Sequence, residues 1–236
     1  MAAEKKYRYL YSLGKNYLIK TCLLALELKI EEAADYITQL LTLHLSPATE
    51  EEFKKLSNHS DPAIQNKVWE IRKTIHRSRL SRLRIETLGG FRVFRGDSLI
   101  EEKEWDRQQP KQLLKAIVSR GMTTIPKEIL IEDLWPEEKP TRAENNFKTT
   151  LQRLRISLEP TISHEFGSSY IHLHDNQILL DTELCQVDIN QFLSLIKKGE
   201  ELEKRKDGKK ALPLYMEALE TYKGDLEIIA KSITQM

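Results

Sequence analysis

The stretch "TRAENNFKTTLQRLRISLEP", Thr141 to Pro160, decides how this chain is read, because it encodes a helix with two unlike faces. Advancing 100 degrees per residue from Phe147 brings Ala143, Leu151, Leu154 and Leu158 within about 40 degrees of it, an apolar stripe suited to a core. The opposite side carries Asn145, Lys148, Thr149, Gln152 and Arg155, with Asn146 and Arg153 toward one flank and Arg142 near the start. From Asn145 to Leu158 there are three cations and no acid. Exposed helices commonly mix Glu with Lys four residues apart, so this face is unusual for one that meets only water. Thr141 and Glu144 have capping-box spacing, which predicts that the threonine hydroxyl accepts the third helical N–H and the glutamate reaches back to the threonine N–H.

At 1.5 Å per residue a helix over 142–158 is roughly 25 Å long and fits a major groove about 12 Å wide. Its outer residues match groove chemistry. Asn and Gln pair bidentately with adenine, Arg with guanine, Thr meets the thymine methyl, and Lys neutralises phosphate. The plainer alternative is a solvated helix face.

The flanks add context. Upstream, "RLRIETLGGFRVFRGDSLI" (82–100) alternates Leu83, Ile85 and Thr87, pauses at Gly89-Gly90, resumes with Phe91 and Val93 and turns at Arg95-Gly96-Asp97-Ser98, predicting a small antiparallel sheet. Pro110 opens a helix whose Leu113, Leu114, Ile117 and Val118 face inward, with Gly121 as its closing glycine. Pro126 opens a second, shorter helix that Pro136 ends. Downstream, "SSYIHLHDNQILLDT" (168–182) predicts two short strands joined through His174-Asp175-Asn176. A sheet, three helices of which the third is long and basic outside, and a hairpin follow the order of a winged helix-turn-helix domain.

On either side the period is helical. Residues 1–81 predict a helical bundle or the tail of a repeat array, with Leu18, Cys22, Leu24, Ala25 and Leu28 inward on one helix, then Ala33, Tyr36, Ile37, Leu40 and Leu41 on the next. Asp61-Pro62 is a cap and first-turn pair for a later one. Residues 185–236 predict a TPR-like hairpin, presenting Ile189, Phe192, Leu195 and Ile196, then Ala211, Leu214, Tyr215, Ala218, Leu219 and Tyr222, across a charged linker "GEELEKRKDG". One hairpin does not bury its own face, so a longer chain or a further module packed against it is expected. The fold class is therefore α+β, mainly α, with a winged helix over 82–184 between two helical segments.

Composition narrows the function. The 236 residues hold 37 Lys plus Arg against 36 Asp plus Glu, so electrostatic function requires local segregation of charge. Cys22 and Cys185 form no paired or zinc-type spacing, which fits a reducing, cytoplasmic setting. The N-terminal "MAAEKKYRYLYSLGKNYLIK" lacks a signal-peptide core, and no stretch reaches membrane-span length, so no membrane partner is expected. No phosphate loop, zinc-protease motif, nucleophile elbow or supported Cys/His pair is present, so no catalytic residue and no cofactor are assigned. His172 and His174 share a strand face, which by itself is weak evidence for a metal.

The stretch 83–160 resembles the DNA-binding domain of the bacterial SARP-type transcriptional activators, a winged helix of the OmpR/PhoB kind. The resemblance is carried by Leu88-Gly89-Gly90-Phe91, Lys111-Gln112-Leu113-Leu114, Pro126 with Leu134-Trp135-Pro136, and Asn145-Asn146 leading to Leu151-Gln152-Arg153-Leu154-Arg155. The segment beginning "VDINQFLSLIKK" is similar to the start of the bacterial transcriptional activator domain that follows in that family. The resemblance implies promoter binding with the third helix in the major groove, protomers paired as a homodimer on repeated half-sites of double-stranded DNA, and activation through RNA polymerase. Carried over by position, Asn145, Asn146, Lys148, Thr149, Gln152, Arg153 and Arg155 become groove or backbone contacts, Arg107 and Lys111 become phosphate contacts, and Arg142 joins the DNA-binding residues. The hairpin departs from family wings in lacking Lys and Arg; His172 and His174 stand in their place.

Two charge runs have plain alternatives. Arg72 to Arg84 holds six Lys or Arg and no acid, either a phosphate-contacting arm or a helix end and linker with solvated cations. Glu132-Asp133 and Glu137-Glu138 offer a basic surface of polymerase a docking point, or serve loop solubility. The rival to DNA binding is a signalling adaptor that uses its helical modules and winged helix for protein contacts.

Overall fold

The computed structural model describes residues 15–44, 47–121 and 124–223. The expected lack of a signal core concerns residues mostly outside this range, as does anything the hairpin does beyond Lys223. The described residues divide between Leu80 and Ser81 into two compact units, and the fold is α+β and mainly helical.

The first unit is a helical bundle of α1 (Lys15–Glu27), α2 (Glu31–His44), α3 (Pro47–Lys55) and α4 (Pro62–Ser78). Asp61 caps α4 as expected: its carboxylate accepts the Ala63 N–H at 2.8 Å, and Pro62 fills the first helical position, whose N–H has no helical partner. Leu18, Cys22, Ile37, Leu41, Phe53, Val68 and Ile75 form the core. Leu24 and Leu28, expected inside, are 52% and 60% exposed. Leu24 lies about 120 degrees around the helix from Leu18, off the stripe that faces the bundle, and Leu28 lies past the helix end. Cys22 is buried, and burial pushes its thiol up to about 12, away from reactive thiolate.

The second unit opens with β1 (Leu83–Glu86), β2 (Arg92–Arg95) and β3 (Ser98–Leu99), antiparallel neighbours as the alternation predicted. A short 3-10 turn over Glu102–Trp105 leads into α5 (Gln108–Ser119), followed by β4 (Ile125–Pro126), α6 (Lys127–Leu134) and α7 (Pro140–Leu158). Gly121 sits just past α5 at φ +79, the left-handed closure expected of it. Pro126 does double duty, ending a strand and standing immediately before α6, whereas the sequence predicted only a helix start.

The wing comprises β5 (Ile171–His174) and β6 (Gln177–Leu180), joined by Asp175 and Asn176 at φ +48 and +63, a two-residue turn whose positive angles match strand twist. β4 adds to β6, giving the sheet order β4-β6-β5. The strand β7 (Cys185–Val187) was not predicted. It runs parallel to β1 and completes the first sheet in the order β3-β2-β1-β7.

The helices α8 (Asp188–Lys204) and α9 (Gly208–Thr221) form the hairpin and belong to this unit. The expected linker is instead mostly helix: α8 runs to Lys204, because Glu, Leu and Lys are strong helix formers and Gly199 is packed so closely on Tyr215 that a Cβ there would clash. The hairpin is clasped to the sheet by Asp188. Its carboxylate accepts the Thr87 N–H at 2.8 Å, the Thr87 hydroxyl at 2.6 Å, the Leu88 N–H at 2.9 Å and the Ile189 N–H at 2.8 Å. Leu219 and Tyr222, expected inward, are 68% and 45% exposed, while Ala211 and Ala218 are buried. No helix among the described residues is long and apolar enough to cross a membrane.

Candidate nucleic-acid interface

The helix α7 has its core stripe where the periodicity placed it: Ala143, Phe147, Leu151, Leu154 and Leu158 are all buried. Thr150 and Ser157 are buried with them, so the stripe is wider than the apolar residues alone indicated.

Its two ends are held differently. At the C-terminal end, Arg95 of β2 donates from Nε to the Leu158 carbonyl at 3.2 Å and from Nη2 to the Ser157 carbonyl at 2.8 Å. Those carbonyls have no helical partner, and a guanidinium also complements the negative end of the helix dipole. Just beyond, the buried Glu159 accepts the Ser169 N–H at 2.8 Å and ties the wing's approach to the helix. Arg155 donates from Nη2 to the Ile171 carbonyl of β5 at 3.1 Å.

The N-terminal end does not begin as predicted. The helix starts at Pro140, with Lys139 extended at φ −60, ψ 142 and no side-chain cap. The proline ring presets its own φ for the first helical position and pushes the preceding residue out of helical space, which leaves Thr141 inside the first turn, where it does not cap. Glu144 therefore faces Lys127 at 2.7 Å and Lys148 at 3.4 Å, and those cations lower its carboxyl below the usual range, the Lys127 hydrogen bond first.

Asn145, Lys148, Thr149 and Gln152 are exposed on one face of α7, as the helical projection requires, and Asn146 is half-buried at its edge. Arg153 is half-buried, its Nε 3.2 Å from Asp106 Oδ2. Arg142 is exposed and lies 3.3 Å from Glu138. Arg107 is exposed immediately before α5, and Lys111, one turn on, is ion-paired with Glu102.

Arg155 does not join this face. Expected as a base or backbone contact, it is half-buried, bonded to β5 through Nη2, with Nε enclosed and unpartnered, and burial lowers its pKa. Two rows lie side by side on a helix, and the wing approaches the row that includes Arg155. At 100 degrees per residue Arg155 stands about 80 degrees from Phe147, against about 120 for Arg153, so it sits at the margin of the core stripe, where the wing covers it.

The assembly of a four-stranded sheet, three helices and a strand-paired wing invites comparison with known folds. No protein-family model and no curated protein sequence matches the chain. Among solved structures, Mycobacterium tuberculosis EmbR, solved in complex with a low-affinity phosphopeptide, matches with a TM-score of 0.50 and 17% identity over 61% of this chain and 37% of that one. The fold is similar to that of EmbR. At this identity the likeness concerns the fold alone. The chain spans about 37% of EmbR's length.

On this EmbR-like scaffold the wing carries His172 and His174. His172 Nε2 lies 3.2 Å from Asp181 Oδ2, and His174, at the exposed tip, lies 2.9 Å from Asp175. Among the described residues no group of His, Cys, Asp and Glu is arranged to hold a metal. The predicted acidic runs have local partners: Asp133 pairs with Arg120 and Glu138 with Arg142. Of the basic run 72–84, Arg79 pairs with Glu50, and Arg84 pairs with Glu86 while lying 3.8 Å from the Phe94 ring centre. Sequence reasoning missed Asp106 and Glu102 as neighbours of the interface. Their signal was the acidic run "EEKEWD" immediately before α5, whose reach to α7 depends on tertiary packing.

Proposed function

We propose that the chain is a sequence-specific, double-stranded DNA-binding transcriptional regulator that reads the major groove with the outer face of α7. The observation that carries this is the exposure of Asn145, Lys148, Thr149 and Gln152 together on one face of a helix whose far end is fastened. A fastened helix presents its side chains in a fixed register, which base-edge readout requires, and recognition helices read with their N-terminal residues. Asn145 and Gln152 read base edges, Thr149 packs on a thymine methyl, and Lys148 contacts phosphate. Arg107, Lys111, Arg142 and Arg153 supply further phosphate contacts, and Asn146 the edge of the readout. The wing, with His172 and His174, approaches the neighbouring minor groove. In keeping with the SARP-type resemblance, the regulator acts as an activator through RNA polymerase, with protomers paired on repeated half-sites of promoter DNA.

Selection from a random duplex pool followed by anisotropy titration at two salt concentrations tests the reading. The expected result is a selected sequence bound with a log-log salt slope of about −3.5 to −5.5 per protomer, corresponding to about four to six neutralised phosphates. Failure of the folded chain to bind any duplex refutes it. The adaptor reading would then take its place, favoured by Leu212, Met216 and Leu219, which are exposed along one line of α9.

A further inference from the structure

Most cations of the proposed interface are ion-paired, Arg142 and Lys148 with acids four residues away and Lys111 and Arg153 with acids that helical spacing does not place beside them. Asp106 holds Arg153, Glu138 holds Arg142, Glu102 holds Lys111, and Glu144 shares Lys127 and Lys148. Glu144 is α7's own acid, at the N-terminal end of the face, whereas Asp106 reaches Arg153 from outside the helix.

Asp106 stands apart from the rest. It lies between the 3-10 turn and α5 at φ +55, ψ −46, a backbone region that residues with a side chain avoid. Its carboxylate is 62% exposed, so packing does not demand the side chain there, and glycine would suit the backbone better. What the aspartate supplies is a charge 3.2 Å from Arg153. A residue kept in a disfavoured conformation without a burial role invites a functional explanation.

We propose that Asp106 is a specificity-determining residue that makes Arg153 conditional: the arginine is withheld from random duplex and released only when α7 seats its base contacts. This rests on the DNA-reading function proposed above. An exposed ion pair is weak and screened by salt, so a correctly seated helix, with all its contacts formed, displaces it readily. A duplex that offers phosphates alone lacks those contacts. It meets a guanidinium already neutralised by its own partner. Specificity is a difference of affinities, and an unfavourable element that acts mainly on the wrong partner raises it. In water a unit charge about 4–6 Å from a phosphate changes binding about three- to sixfold.

The experiment measures anisotropy of the full chain with the selected duplex and with short random-sequence duplexes, for the wild type, Asp106→Asn, Arg153→Ala and the double variant. Asp106→Asn is expected to tighten random-duplex binding about three- to sixfold at low salt and steepen its salt slope by about one, with less than a twofold change on the selected duplex. Asp106→Gly, which suits the backbone angle, is expected to give the same gain and stands in if the asparagine variant folds poorly. The gain should vanish when Arg153 is already Ala, since coupling through that pair is what the double variant measures. Unchanged or weaker random binding by both Asp106 variants, with a wild type that still binds its selected sequence, overturns the inference and leaves the DNA reading intact. A gain that survives Arg153→Ala also overturns it. If no folded protein in the set binds any duplex, the function proposed above fails and takes the inference with it.

Discussion

Replacing Asp188 with alanine is expected to cost the second unit a large share of its stability. The carboxylate satisfies two backbone N–H groups and a hydroxyl on Thr87 and Leu88, which are 0% and 3% exposed, and also caps its own helix through the Ile189 N–H. Each buried donor left unpaired costs about 1–3 kcal/mol, and since the three share one acceptor group the losses do not add fully. The expected destabilisation is about 3–5 kcal/mol, against roughly 5–15 kcal/mol for a domain. Asp188→Asn keeps one acceptor oxygen but points an amide at donors, so about half that loss is expected. Thr87→Ala removes only the hydroxyl and should cost about 1 kcal/mol.

Urea unfolding followed by tryptophan fluorescence reads the change, because Trp105 and Trp135 are both buried in this unit. With a slope of about 2 kcal/mol per molar, Asp188→Ala should lower the midpoint by about 2 M. A fall of less than about 0.5 M, or an asparagine variant as unstable as the alanine one, would refute the claim that one carboxylate clasps the hairpin to the sheet.

Two further outcomes follow from side chains whose surroundings are now known. Arg155→Met, which keeps the bulk and removes the enclosed guanidinium, should change stability by less than about 1.5 kcal/mol and leave the selected DNA sequence unchanged; altered preference at one base position would return Arg155 to the reading face. Tyr170, buried and donating its hydroxyl to the Ser81 carbonyl at 2.6 Å, has its pKa pushed up to about 12, first by burial and then by Glu159. Its folded pKa lies above the unfolded value near 10, so its contribution, about 2–3 kcal/mol at most, is fully present below pH 10 and is lost as pH rises toward 12. Tyr170→Phe should flatten that part of the alkaline unfolding profile, and an unchanged profile would show that the phenol is not responsible.

Much of this fold is written locally. The alternation of 82–100, the Asp175-Asn176 turn, the Asp61-Pro62 cap and the Phe147 stripe each depend on residues a few positions apart, and each stands where the pattern placed it. The misses share a different cause. β7 is three residues long and exists because β1 offers it an edge. The Thr141 cap failed through Pro140, a stronger signal one residue before the stretch, because a proline at the first helical position outweighs the capping spacing beside it. The charged segment after Lys198 reads as a linker by composition and as helix by propensity, and the helix prevailed where Tyr215 covers Gly199.

The candidate site divides along the same line. Which residues face away from the core follows from 100 degrees per residue, and Asn145, Lys148, Thr149 and Gln152 were legible on that ground alone. What approaches the helix from elsewhere was not. β5 takes Arg155 out of the exposed row through the Ile171 carbonyl, and Asp106 takes hold of Arg153 from a loop ahead of α5. In sequence the two arginines stand two residues apart, and Glu159, four beyond Arg155, is the one acid at helical spacing from either. Tertiary packing makes one a strut for the wing and leaves the other ion-paired with Asp106 at the edge of the exposed face. A basic helix face is therefore characterised by two inventories, the cations it projects and the acids that other segments bring to them, and only the first can be counted along the helix.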